Sequence, residues 1–176
     1  MDGTKGCILA LDPAAKTGWA TSDGRHGVWI LQKGKSSAER LSTLRYHIIE
    51  EAGFTALQLI AYEDASFGSR NPAVQALHNE LRGVIKLVAH DLDIPSVGYK
   101  PAAIKKYATG SGSSKKDQMI RAAKTLLDIE TTDDNVADAL FILEFAKRYG
   151  LEPPTSKAKE RERRSGGKRK LGGLLF

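Results

Sequence analysis

The 176-residue sequence predicts a mixed α/β domain in which a five-stranded sheet, an antiparallel meander continued by parallel strands, is flanked by helices. Three observations predict it. Short apolar runs separated by turn residues crowd the first 32 positions. From residue 36 onward, apolar residues at helical spacing alternate with further short apolar runs. The apolar and charged fractions, 41% and 27%, are those of a globular chain and exclude collagen-like, disulfide-scaffold and wholly disordered classes. At this length one core, with or without a tail, is expected.

Residues 6–11 form a continuous apolar run, 18–21 follow a turn and 27–32 follow Ser22-Asp23-Gly24, giving the three strands of the meander. Over 36–51, Leu41, Leu44, Ile48 and Ile49 recur at helical spacing, with Ser36 or Ser37 to cap the helix and Gly53 to stop it. Residues 57–62 read as a fourth strand that terminates in Glu63-Asp64. After a polar loop, 72–90 carry Val74, Leu77, Leu81, Val84, Ile85 and Val88 along one side, with Pro72 suited to a first helical turn. A fifth strand is expected over 94–98, a short helix over 101–107, and a flexible glycine-serine loop over 109–114 that opens a helix over 115–127. The last helix begins near Thr132 or Asp133 and runs to Tyr149. Residues 1–149 are thus one domain, and 150–176, rich in Lys, Arg, Glu, Ser and Gly, form a tail that lacks a core and is expected to be disordered.

The net charge of +6 is unevenly placed: eight basic and three acidic residues lie beyond Gly150, leaving only +1 for residues 1–149. A polybasic arm suits a polyanion, nucleic acid above all, or else keeps a terminus solvated. No apolar stretch approaches the ~18 to 20 residues of a membrane helix, and the N-terminal run is too short for a secretory signal, so a cytoplasmic protein with no membrane partner is expected. The single cysteine, Cys7, reads as a buried thiol.

Three acids occupy positions where charge is costly. Asp12 follows Cys7-Ile8-Leu9-Ala10-Leu11 and Glu63 follows Leu59-Ile60-Ala61-Tyr62, each at the end of a strand whose composition implies burial on both faces. Asp138 interrupts Val136, Ala137, Ala139, Leu140, Phe141, Ile142 and Leu143, where an unpaired carboxylate would cost several kcal/mol, roughly. Asp134 and Asn135 lie one turn earlier on the same face. Oxygen ligands with no histidine or cysteine cluster suit Mg²⁺ or Mn²⁺ better than Zn²⁺. Taken singly, Asp12 could start a turn, Glu63 could make a salt bridge, and Asp133, Asp134 and Asp138 could complement a helix N-terminus.

Ile8-Leu9-Ala10-Leu11-Asp12-Pro13 followed by Thr17-Gly18-Trp19-Ala20 resembles the opening hairpin of RuvC-type Holliday junction resolvases, of the ribonuclease H-like superfamily. Ile60-Ala61-Tyr62-Glu63, Arg82-Gly83, Gly110-Ser111-Gly112 through Lys116, and Ala137-Asp138-Ala139-Leu140 resemble later motifs of that family in order, over roughly residues 6–149. The resemblance implies an endonuclease of DNA recombination or repair, bacterial or phage-type, cutting four-way junctions by paired symmetric hydrolysis. It assigns Asp12, Glu63 and Asp138 as ligands of two divalent ions per site, Mg²⁺ or alternatively Mn²⁺. The family places an aspartate or histidine where this chain has Asn135, so the fourth ligand is either Asn135 or Asp134. Lys105 and Lys116 match positions near the scissile region, Lys115 adds charge beside them, and Phe67, next to Gly68 and near Arg70, resembles the aromatic stacked at the junction centre, or else folds back on the core.

The helix over 72–90 resembles the dimer-forming helix of the family, so a homodimer is implied, although such a stripe also serves as intramolecular core. Leu171 and Leu174-Leu175-Phe176 form either a docking peptide for a replication or recombination protein or a frayed end. Three other readings share these features: a related nuclease of flaps, forks or RNA-DNA hybrids; a junction-binding protein weakened by Asn135; and an actin-like ATPase, whose two domains need far more chain.

Overall fold

The computed structural model describes residues 6–31, 36–65 and 71–152. Within them run, in chain order, β1 (Cys7–Asp12), β2 (Lys16–Thr21), β3 (His26–Ile30), α1 (Ser37–Phe54), β4 (Leu57–Glu63), α2 (Pro72–Asp91), β5 (Ser96–Tyr99), α3 (Pro101–Thr109), α4 (Lys116–Leu127) and α5 (Asp134–Tyr149). The sheet order is β3-β2-β1-β4-β5. β1–β2 and β2–β3 pair antiparallel, whereas β1–β4 and β4–β5 pair parallel. The meander-plus-parallel sheet read from the sequence is the one observed. Among the described residues no helix is long and apolar enough to cross a membrane.

Each face of the sheet has its own core. Leu9 and Leu11 of β1 and Ile60 and Tyr62 of β4 pack with Leu44 and Ile48 of α1 and Leu81, Ile85 and Val88 of α2. The alternate residues Ala10, Ala20 and Ala61 face Ala137, Leu140 and Phe141 of α5, with α3 and α4 beyond. These three alanines, all fully buried, leave room for α5 to lie close to the sheet. α5 is accordingly enclosed on nearly every side, burying Val136, Ala137, Ala139 to Leu143, Phe145 and Ala146. The stripe foreseen on α2 goes mainly to the core, while Val74 and Leu87 remain 40% and 57% exposed.

Three local differences have physical causes. Gly53 does not stop α1, which continues to Phe54 and caps at Thr55; glycine ends a helix by adopting positive φ, and Gly53 does not. Gly110 does, at φ 84°, so α3 runs on to its cap there. The glycine-serine segment after it is a hydrogen-bonded knot, not a free loop: Ser114 is 5% exposed and donates to Ser111 O at 2.9 Å, while Ser111 N–H donates to Thr109 Oγ1 at 3.2 Å. Phe67, Arg70 and the tail from residue 153 onward lie outside the described residues.

Candidate metal centre

Leu11 of β1 is aligned with Tyr62 of β4 in a parallel pair, so the next residues, Asp12 and Glu63, end neighbouring strands side by side at the usual ~4.8 Å spacing. Since Leu11 and Tyr62 point into the α1–α2 core, strand alternation turns Asp12 and Glu63 to the α5 side. Asp138 approaches from α5, just past its first turn.

Gly18 makes that approach possible. It pairs with Asp12 across β1–β2, and a Cβ there would lie 1.9 Å from Asn135 O, so the first turn of α5 rests on bare backbone beside Asp12. Asp133 caps α5 by accepting Asn135 N–H at 3.0 Å and Asn135 Nδ2 at 2.9 Å. Lys16 Nζ holds the same Asp133 at 2.5 Å, tying the start of β2 to the helix end. Residue spacing gives no sign of the roles of Gly18 and Lys16, whereas Asp133 is legible as an acid at the N-terminus of the last helix.

Crowding of acids shows in their proton affinities. Burial, then the charges of Glu63, Asp138 and Asp134, push the Asp12 carboxyl well above its ordinary range, with Lys105 opposing. Glu63 is raised to about 7 by burial and by Asp138, again against Lys105. Asp138 is raised to about 6 by burial first, with Lys105 and Lys116 lowering it and Asp134 raising it. Its Oδ1 is buried with no hydrogen-bond partner, a loss worth ~1–3 kcal/mol for a neutral acceptor and more for a charge.

Oxygen-only chemistry, mutual repulsion and an orphaned carboxylate oxygen fit a hard divalent cation, which would satisfy Asp138 and relieve the repulsion. Among the described residues no three or more His, Cys, Asp or Glu side chains are drawn into a ready-made cage. Mg²⁺ does not require one: it keeps several waters and is typically held by one or two carboxylates plus substrate phosphates. The acids share one pocket of potential without closing it.

The other residues singled out in the sequence divide in two. Lys105, half-buried on α3, acts on all three acids. Lys116, with its side chain 80% exposed at the start of α4, pairs with Asp134, a contact that raises its pKa ahead of any cost of burial. Lys115, just before it, is exposed. Asp134 and Asn135 both stand at the site, the former engaged with Lys116 and the latter with Asp133.

A family model described as "Crossover junction endodeoxyribonuclease RuvC" matches residues 25–143, a span that contains Glu63, Lys105, Lys116 and Asp138 and begins after Asp12. The chain is 30% identical over 151 residues to the crossover junction endodeoxyribonuclease RuvC of Rhodopirellula baltica, covering 80% of this chain and 85% of the relative. It is 37% identical over 120 residues to that of Pseudothermotoga lettingae, covering 66% and 73%. The fold is similar to Thermus thermophilus RuvC in complex with a Holliday junction substrate: TM-score 0.71 at 18% identity, over 85% of this chain and 99% of that one. The yeast mitochondrial Holliday junction resolvase Ydc2 matches at TM-score 0.52 and 14% identity, over 77% and 76%.

Proposed function

The chain belongs to the RuvC family of crossover junction endodeoxyribonucleases, and on that premise we propose how its own residues cut branched DNA. It is a structure-selective Holliday junction endonuclease of DNA recombination. Asp12, Glu63 and Asp138 would hold two divalent ions, Mg²⁺ or alternatively Mn²⁺. When bound, such a pair activates water and stabilises the leaving oxygen of the phosphodiester. The observation that carries this reading is the buried, partnerless Asp138 Oδ1 on the side of α5 that faces two other carboxylates of raised pKa.

The fourth position belongs to Asn135 or Asp134, the one held through its Nδ2 by Asp133 and the other by Lys116 in the DNA-free protein. Lys116 then exchanges Asp134 for a DNA phosphate, and Lys105 supplies a second positive charge against the charge that develops there. Lys115 extends this basic edge. Phe67 and Arg70, following Glu63 by a few residues, engage the junction centre, the aromatic ring against unstacked bases. A two-fold homodimer on the exposed apolar part of α2 supplies two cuts of like polarity. The basic tail adds sequence-independent affinity.

The test offers purified protein a four-way junction, a fork, a duplex and an RNA-DNA hybrid with Mg²⁺. Paired symmetric nicks in the junction are expected, abolished in Asp12→Asn with junction binding retained. Cleavage of the hybrid without the junction would overturn the substrate assignment, and unchanged cleavage by Asp12→Asn would overturn the metal site.

A further inference from the structure

Beside Glu63 lies a network of residues to which the reading above gives no metal or DNA role. Asp64, the next residue, accepts Arg82 Nη1 of α2, and Arg82 Nη2 donates to Asn79 Oδ1. Asn79 Oδ1 also accepts Gln75 Nε2 at 3.2 Å, and Gln75 Nε2 donates to Ala65 O at 3.4 Å. Positions 75, 79 and 82 follow one another at helical spacing, so a single stripe of α2 grips residues 64 and 65 by side chain and by backbone. From the other side, Asp64 N–H donates to Tyr99 O at 2.8 Å. Gly98 leaves no slack there, since a Cβ would lie 2.9 Å from both Asp64 Cβ and Tyr62 Cε2.

Arg82 is too enclosed to serve an external phosphate; its side chain is 10% exposed. A guanidinium suits this place because its planar fork spans Asp64 and Asn79 at once, which a lysine cannot do. β4 ends at Glu63, so the residue whose side chain Arg82 clamps is the first one beyond the strand.

We propose that Arg82 is a positioning residue: through Asp64 it fixes the exit of β4, aims the Glu63 carboxylate at Asp12 and Asp138, and thereby lets α2 set the metal affinity of the site. The inference rests on the reading of Glu63 as a metal ligand. Among the hydrogen bonds and ion pairs of the described residues, none orients the Glu63 carboxylate itself, so the clamp on the following residue restrains it together with the charge of Lys105.

Full-length Arg82→Gln, Arg82→Lys, Asp64→Asn and the double variant Arg82→Gln/Asp64→Asn are compared with wild type by Mn²⁺ titration without DNA, by the Mg²⁺ dependence of junction cleavage, and by junction binding without metal. Mn²⁺ affinity and the half-saturating Mg²⁺ concentration are expected to worsen about tenfold in Arg82→Gln and Asp64→Asn. The double variant should be no worse than either, Arg82→Lys should recover part of the loss, and metal-free junction affinity should not move. Loss of stability alone shifts the Mn²⁺ titration only when much of the metal-free protein is unfolded, which the melting curve of each variant reads directly, and Asp64→Asn, a partly exposed site, keeps the test open if Arg82→Gln unfolds. Unchanged Mn²⁺ affinity in Asp64→Asn, or additive losses in the double variant, would overturn the proposal. Asp12→Asn separates the two levels: if it binds Mn²⁺ and cleaves like wild type, the metal-centre reading fails, whereas if it loses both while Asp64→Asn matches wild type, only the clamp fails.

Discussion

Gly18→Ala is the smallest change that should separate the sheet from the acid on α5. The new methyl carbon would sit 1.9 Å from Asn135 O, where real Cβ atoms essentially never approach within 3.0 Å, so helix or strand must retreat by about 1.1 Å. The obstacle is backbone within the first turn of α5, which Asp133, Lys16 and Ala137 N–H donating to Asp133 O hold in place; no side chain can swing aside to absorb it. Overpacking of this kind destabilises by roughly 1–3 kcal/mol. A displacement near 1 Å at a catalytic constellation costs about 10²-fold in rate. Single-turnover cleavage of a four-way junction at saturating Mg²⁺, read beside thermal melting and metal-free junction binding, distinguishes the two losses. We expect a folded, junction-binding protein that cleaves about a hundredfold more slowly. A wild-type rate in a stably folded variant would refute the claim that Gly18 seats Asp138 against Asp12.

The metal-free protein should lose stability as pH rises. Glu63 and Asp138 titrate at about 7 and about 6 when folded, against 4.5 and 3.8 ordinarily, so over that window the native state holds more protons than the unfolded chain and unfolding becomes easier as they leave. Melting in chelator from pH 5 to pH 8 should show this decline, Glu63→Gln should flatten it, and Mg²⁺ should offset it at the alkaline end. Ending the chain after Glu152 removes eight basic and two acidic residues, and the plot of log junction affinity against log salt should become shallower by about 0.9 for each DNA phosphate the tail no longer neutralises; an unchanged slope would exclude the tail from DNA binding. Gly53→Ala, helical and with nothing within 4 Å of the added methyl, should stabilise by ~0.5–1 kcal/mol in chemical denaturation.

How far the sequence could be read depended on whether the controlling interaction was local. Strands such as Cys7–Asp12 and helices such as Pro72–Asp91 announce themselves through periodicity and through an apolar run ended by an acid or opened by a proline. Asp138 was legible for the same reason: a charge inside an apolar helix is an anomaly wherever the helix goes. The seat of that helix was not, because Gly18 and Asn135 are distant in sequence and only tertiary packing makes the glycine obligatory. Gly53 and the segment after Thr109 misled in opposite senses. Glycine at position 53 suggested a stop that only positive φ would have enforced, and a serine-rich stretch suggested freedom although its hydroxyls bind their own backbone. Arg82 and Asp64 each look like ordinary surface charges until β4 and α2 are laid side by side.

Anomalous diffraction from crystals of the protein soaked in Mn²⁺ puts the three-acid centre to its plainest trial. Peaks bounded by the carboxylates of Asp12, Glu63 and Asp138, with oxygen distances near the ~2.0–2.2 Å of small divalent ions, are predicted, and they should vanish in Asp12→Asn. Mn²⁺ bound elsewhere on the surface, with those three acids left without an ion at saturating concentration, would contradict it.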